Sequence, residues 1–553
     1  MNYYNIDVYE RSVSTKSSDA QLWFNRGLIW TNAYFHDEAV ACFYRAIEAD
    51  PECAMAHWGV AYASGPNYNM PWERRDATMR KKTAETCHAA TQTALALIEK
   101  VTPFERAIIE ALPFRFPQNF PADFEVMRGW NDDFAEAMRA VFESFPDDLD
   151  IACIFVEAIM NRTPWNMWDQ KTGNVAEGAG TVEAQNVLET MLDQNTDSWS
   201  HPGLLHLYVH LMEMSPTPEK ALKAGDILRE LVPDAGHLIH MPTHIDVQCG
   251  HYQDVLHWNW KATKVDRKAL DSMGVYSLYT GYRIHNYHFA VYGAMFLGQY
   301  EPAMKMAQEL VEVTPEDLLR VESPPFATFF ESYFALKVHV MIRFGRWRQI
   351  IEEPLPDDQL LWANLTATLH YAKGVAHAAL GEVQEAETEQ AKFLTARDVM
   401  PKDRRLHNVL CLDQLAVAEA MLAGEIAYRK GNYDFAYRRL RDAVVLEDAL
   451  PYDEPWGWMQ PIRHALGALL LEQGHVDEAE AVYREDLGLG GKRSRAQIHP
   501  NNVWSLRGLN DCLHAKGQGS SKEGKLIAQS LALAEARADR VVSASCFCAQ
   551  AAQ

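Results

Sequence analysis

The 553-residue chain carries 75 acidic against 52 basic side chains, a formal charge of −23, with a sequence pI near 5.4; this argues against nucleic acid and anionic membrane as partners, since both recruit basic surfaces. No stretch approaches about 18 uninterrupted apolar residues, and the first 19 residues lack a basic segment followed by an apolar one, so the expectation is a cytoplasmic protein with no membrane span. Nine cysteines without CxxC spacing fit reduced thiols in that compartment. Cys546 and Cys548 form a lone C-x-C in a small-residue tail, expected to fray.

After an N-terminal extension (1–19), residues 20–51 read as a helical hairpin, with Trp23, Gly27 and Trp30 on its first helix and Ala39, Phe43, Ala46 and Pro51 on or after its second. Gly27 and Ala39 allow close helix approach, while Trp23, Phe43 and Ala46 fill the space between hairpins. The register recurs with Gly424, Ala436, Leu440 and Ala443, with Gly467, Ala479 and Tyr483, and with Trp504 and Gly508. Weaker copies run through 285–315, with Ala303 and Pro315, and through 370–395, with Gly374 and Ala386. This pattern resembles the tetratricopeptide (TPR) repeat. The resemblance implies an all-α, right-handed solenoid of helical hairpins running continuously over 20–535, with a histidine-rich core at about 201–298 and a tail over 536–553. Whether such a superhelix is open or closes around a central pocket is left open by the residues. Three segments interrupt the hairpin rhythm: 54–72, with Pro66, Asn67, Tyr68 and Asn69; 158–169, with Asn161, Arg162, Trp165, Asn166, Trp168 and Asp169; and 453–467, with two tryptophans and Arg463. Large aromatics can simply glue irregular turns. Together the segments also fit a capped cavity of aromatic, amide and guanidinium groups, suited to a small substrate with a carboxylate or carbonyl.

Seven histidines fall into three tight groups: His206 and His210, then His237, His240 and His244, then His285 and His288. At about 100° per residue each group projects within roughly 60° of one helical face. In the hairpin register the groups fall on three successive first helices, 201–214, 237–250 and 281–298, which face a common groove in TPR superhelices. Imidazoles at i and i+4 reach one ion, and two such helices supply four ligands. His206, His210, His240 and His244 are therefore the first-choice ligands, with Glu213, two turns beyond His206, as a carboxylate ligand or a partner that orients an imidazole. His237, His285 and His288 are either further ligands, permitting a second ion, or acid–base residues, and Arg463 joins them as a candidate catalytic residue. Asp246 is expected to point away. His57, His339, His370 and His464, each standing alone, read as ordinary core or surface residues.

The segments HPGLLHLYVHLMEMSPTPEKAL, AGHLIHMPTHIDVQCGHY, YRIHNYHFAVYGAMFLG, RFGRWRQII and EPWGWMQPIRHALGALL resemble those of a mostly uncharacterised family of TPR proteins from bacteria and fungi. Its members show HPGxxHxYIH, GHxxHMPSHI and PHNxHF, and this chain departs at Thr243 and Ile284 without losing a histidine. The family implies a fold but supplies no reaction. All-imidazole sites suit copper, zinc, iron or nickel rather than magnesium or calcium. The leading expectation is a metal-dependent oxidoreductase using one or two copper or iron ions and dioxygen on a small, anionic molecule. The alternatives are a non-catalytic TPR scaffold binding a partner peptide and a zinc-dependent hydrolase.

Overall fold

Ser17 opens the first helix by accepting the Ala20 amide on its side chain, satisfying one of the donors that a helix start leaves free. From there the computed structural model, which describes residues 3–550, is built of helices, with one short antiparallel ladder (Arg405–Leu406 with Val409–Leu410) and two isolated bridges among the described residues. The chain divides into two compact units, one running to Ile245 and including Lys261–Arg283, the other comprising Asp246–Trp260 and Ile284 onward.

In chain order the helices that concern the first unit are α1 (Ser18–Asn32), α2 (His36–Ala49), α3 (Ala54–Ser64), α4 (Ala77–Ala96), α5 (Pro103–Arg115), α6 (Phe124–Ser144), α7 (Leu149–Met160), α8 (Thr181–Gln194), α9 (Pro202–Met212), α10 (Leu222–Leu231), α11 (Gly236–His240), α12 (Thr243–Cys249) and α13 (Tyr252–Met273). Consecutive helices α1 to α4 pack on one another, as do α5 to α7, which is hairpin stacking. A Cβ at Gly27 would stand 2.6 Å from the Phe43 ring, so the glycine is what lets α2 lie against α1. The N-terminal extension is anchored rather than loose: the Tyr3 hydroxyl donates to Glu38 at 2.8 Å and accepts from Trp30 Nε1 at 2.9 Å, and Ile6 is fully buried.

The second unit repeats the device in the hairpins Ala363–Ala379 with Val383–Asp398, Cys411–Arg429 with Tyr433–Asp448, Ile462–Glu472 with Val476–Asp486, and Val503–Ala515 with Lys522–Glu535. Gly424 faces Leu440, and both Gly467 and Gly508 face the Tyr483 ring, as the repeat register predicts. The tail departs from expectation. Cys546 and Cys548 form a disulfide, Cys548 and Ser545 are buried, and the Ser545 hydroxyl pairs with Tyr483 at 2.6 Å and donates to the His464 carbonyl at 2.7 Å. The segment is held because its own polar groups complete bonds that the neighbouring helices leave open, a property composition does not reveal.

Candidate metal centre

Helix α9 is buried on every side, which suits its apolar sequence and makes its two internal histidines costly unless they are used. His201 is the cap, not a ligand: its Nδ1 accepts the Leu204 amide at 3.1 Å and its Nε2 lies 3.2 Å from Asp150 Oδ1. Pro202 fills the first turn, where no amide is needed. Gly203 lies so close to Cys153 and Asn32 that a Cβ would stand 2.6 Å from the Cys153 sulfur. That close approach brings His206 under the end of α1, where its Nδ1 donates to the Asn32 carbonyl at 2.7 Å. This carbonyl belongs to a helix C-terminus and would otherwise lack a donor. The bond fixes the tautomer and leaves Nε2 as a bare lone pair, buried with no hydrogen-bond partner among the described residues.

His210, one turn on, sets its ring 4.8 Å from that of His206, centroid to centroid, tilted by 39°. The third member is His237 on α11. One nitrogen from each of His206, His210 and His237 lies within 4.8 Å of the others, and both ring nitrogens of His237 are buried without a hydrogen-bond partner among the described residues. Metal–nitrogen bonds of about 2.0–2.1 Å would require each ring to close by less than about 1 Å.

The segment 237–250, expected as one helix, is two. It breaks at Met241–Pro242 between α11 and α12, because proline cannot supply the amide that a continuous helix needs at that point. The break separates the roles within the group. His237 joins the α9 pair, whereas His240 and His244 turn to each other with their Nε2 atoms 2.8 Å apart, about the spacing of two nitrogens on one ion. Glu213, fully buried, joins the two sets: its carboxylate accepts His210 Nδ1 at 3.2 Å and also His244 Nδ1. Of the two roles expected for it, this geometry is that of a carboxylate orienting imidazoles by their far nitrogens.

Tyr34, which the sequence reading did not single out, is the wall of the site. Its ring lies 4.5 Å from His206, 5.9 Å from His210 and 5.8 Å from His237, centroid to centroid. It occupies the left-handed position that closes α1, with φ of 54°, the Tyr34 amide bonded to Thr31 and the Phe35 amide to Trp30. Other hairpin turns of this chain put glycine in that conformation, at Gly381, Gly431 and Gly474. A tyrosine there costs about 1–2 kcal/mol of backbone strain, so its side chain supplies something glycine cannot. Two of the irregular segments also reach the cluster. The Tyr68 ring is 4.8 Å from His210, and its hydroxyl accepts the Trp165 amide at 3.0 Å.

The remaining candidates lie in the second unit. His288 Nε2 is 3.3 Å from the Met459 sulfur, and His285 stacks on His407 at 4.9 Å, whose Nδ1 donates to Asp453 at 2.5 Å. Arg463 makes a two-pronged ion pair with Asp448, both bonds 2.7 Å, so its guanidinium ties a helix to its neighbour. Arg162 likewise engages Asp132 near the surface. Asp246 is buried, within 3.7 Å of His251 Nδ1. His370 pairs with Glu389 and His464 with Asp486, consistent with ordinary structural roles, and His57 Nε2 lies 3.1 Å from the Pro51 carbonyl.

Burial pushes the His206 imidazole down to about 3, partly opposed by its bond to Asn32. His237 falls well below the usual range, through burial first and the neighbouring imidazoles second. Both are neutral at pH 7, the form a metal requires. Away from these groups, burial lowers His36 and His288 to about 3 and His339 and His464 to about 4. These folded values are below the unfolded value near 6.5, so the unfolded chain binds more protons between pH 6.5 and about 4, and stability falls as pH falls through that window. Each group contributes a slope of about 1.4 kcal/mol per pH unit. Melting temperature measured from pH 7.5 to 5 should drop steeply below pH 6.5; a flat profile would contradict the burial of these rings.

No family profile and no curated protein sequence matches the chain, so its likeness to the histidine-segment family stays a resemblance. Solved helical-repeat structures align along most of its length. Human IFIT1, solved as a dimer with m7Gppp-AAAA, matches at 12% identity and a TM-score of 0.31, over 84% of this chain and 91% of that one. Cut9, solved in the APC/C hetero-tetramer Cut9–Hcn1, matches at 13% and 0.29, over 98% and 97%. Yeast Tom70 matches at 12% and 0.30, over 93% and 99%. At these values the likenesses bear on neither partner nor reaction. Among the described residues no helix is long and apolar enough to cross a membrane.

Proposed function

We propose that this protein is a metal-dependent enzyme whose ion is held by His206, His210 and His237, with His240 and His244 as an adjoining pair that takes a second ion or completes the first. The observation that carries this reading is the group of three buried imidazoles, of which His206 Nε2 and both His237 nitrogens have no hydrogen-bond partner. Protein interiors do not leave polar groups unpaired without a reason, and a cation is the one partner that lone pairs converging from three sides can share. The Asn32 carbonyl and the Glu213 carboxylate fix the far nitrogens of His206, His210 and His244, the outer support typical of histidine-ligated metals. Copper or iron on neutral imidazoles would supply oxidation of a small organic molecule by dioxygen. The residues themselves hold the ligands in one tautomer and, through Tyr34 and Tyr68, keep water off one side.

The test is elemental mass spectrometry of tag-free protein. About one or two equivalents of copper or iron per chain supports the oxidoreductase and directs substrate searches to oxygen consumption. Stoichiometric zinc replaces it with a hydrolytic or structural site, and an exchangeable water on that zinc marks the former. No metal, and none taken up on reconstitution, overturns the reading and leaves a TPR-like scaffold for a protein partner.

A further inference from the structure

Helix α5 ends in a buried guanidinium that has no ion-pair partner among the described residues. Arg115 is 1% exposed. It is held by one bond from Nη2 to the Pro66 carbonyl at 2.6 Å and by the rings of Tyr62 and Phe134, 4.7 and 4.9 Å from its guanidinium carbon. Its Nε and Nη1 are buried without a partner, and no carboxylate lies within ion-pairing distance among the described residues. Glu157 is the acid nearest in effect, yet its carboxylate takes the Tyr62 hydroxyl; burial outweighs the attraction of Arg115 and lifts it above the usual carboxylate range. An arginine is protonated at any ordinary pH, and an unpaired charge removed from water is among the costliest features a fold can carry.

Two further residues carry buried, unsatisfied polar atoms. Asn161, the cap of α7, has both side-chain polar atoms buried and unpartnered, and its carbonyl accepts at 3.3 Å from Asn131 on α6, the helix that carries Phe134. His36 Nε2 is likewise unpartnered. The charge of Arg115 acts on His36, and Tyr34 lies 5.7 Å from His36 on one side and 4.5 Å from His206 on the other. We propose that Arg115 anchors a small organic carboxylate, with Asn161 and His36 as neutral hydrogen-bonding groups for the rest of the molecule. This names the substrate class of the metalloenzyme and rests on that reading for its purpose; the anion binding itself requires no metal.

The experiment titrates full-length protein, with and without chelator, with acetate, malonate and citrate at constant ionic strength, following melting temperature and calorimetric heat. At least one carboxylate should stabilise the wild type saturably, with chloride inert. Arg115→Gln should weaken that binding tenfold or more, Arg115→Lys less, because a lysine offers a charge without the planar fork, and metal content should be unchanged in both. Asn161→Ala gives the same comparison if Arg115→Gln does not fold. No saturable binding by the wild type overturns the proposal, as does equal affinity in the variants. Metal without carboxylate binding sinks this proposal alone; carboxylate binding without metal sinks only the metalloenzyme.

Discussion

Replacing His237 by alanine should strip the ion from the protein while the metal-free fold stands. The ring sits fully inside the first unit with neither nitrogen hydrogen-bonded, so its removal breaks no bond. Loss of its packing is set against relief of two orphaned polar atoms, and the two differ by about 1 kcal/mol or less. Metal affinity should fall by more than about 100-fold, because even outer partners of a ligand are worth roughly 10- to 100-fold and this is one of three direct ligands. Elemental analysis alongside calorimetric melting, before and after chelator, separates the two effects. The metal reading fails if His237→Ala keeps its full complement of metal, or if the chelated variant melts far below the chelated wild type, which would make His237 a structural residue.

The largest effect on stability is expected at the other end of the chain, at Asp486. Its buried carboxylate accepts from His464 Nε2 at 3.0 Å, His499 Nδ1 at 2.7 Å, Asn502 Nδ2 at 3.0 Å and Ser505 Oγ at 2.6 Å. Arg343 extends the network by donating to His464 Nδ1 at 2.9 Å. Burial opposes ionisation, but His499 and His464 reverse that and hold the Asp486 carboxyl well below the usual range. Asp486→Ala leaves these donors facing an empty space and should cost about 3–5 kcal/mol; Asp486→Asn, which keeps the shape, should cost less. A carboxyl with a depressed folded value stabilises above its unfolded value near 3.8 and loses that contribution as pH falls through the folded one, so the mutant deficit should be full at pH 7. Urea unfolding at pH 7 measures it, and a loss under about 1 kcal/mol would show that the network is not a support of the second unit.

Arginines show how far single residues can mislead. Arg162 and Arg463 stand in aromatic, proline-containing interruptions that look like pocket linings, yet both are spoken for by Asp132 and Asp448. Arg115 sits in the sequence PFERAIIEALPFR, where its spacing suggests only the polar edge of an amphipathic helix. What distinguishes it is the absence of an ion pair among the described residues, and ion-pair partners come from residues distant in sequence.

The helical hairpins, their register at Gly27, Gly424 and Gly467, and the pairing of His206 with His210 were legible in the chain itself, because close packing and the 3.6-residue helical period act between near neighbours. The division of labour within the second histidine group was partly legible: Pro242 announces a break, but not that His237 would swing to α9 while His240 and His244 face each other. Tyr34 in a glycine conformation, Glu213 bridging two imidazoles, the buried Arg115 with two unpartnered nitrogens and the docked Cys546–Cys548 tail were decided only by tertiary structure. Each depends on which donors, acceptors and charges meet across tens to hundreds of residues, and a linear pattern fixes the direction of a side chain, not the identity of what it meets.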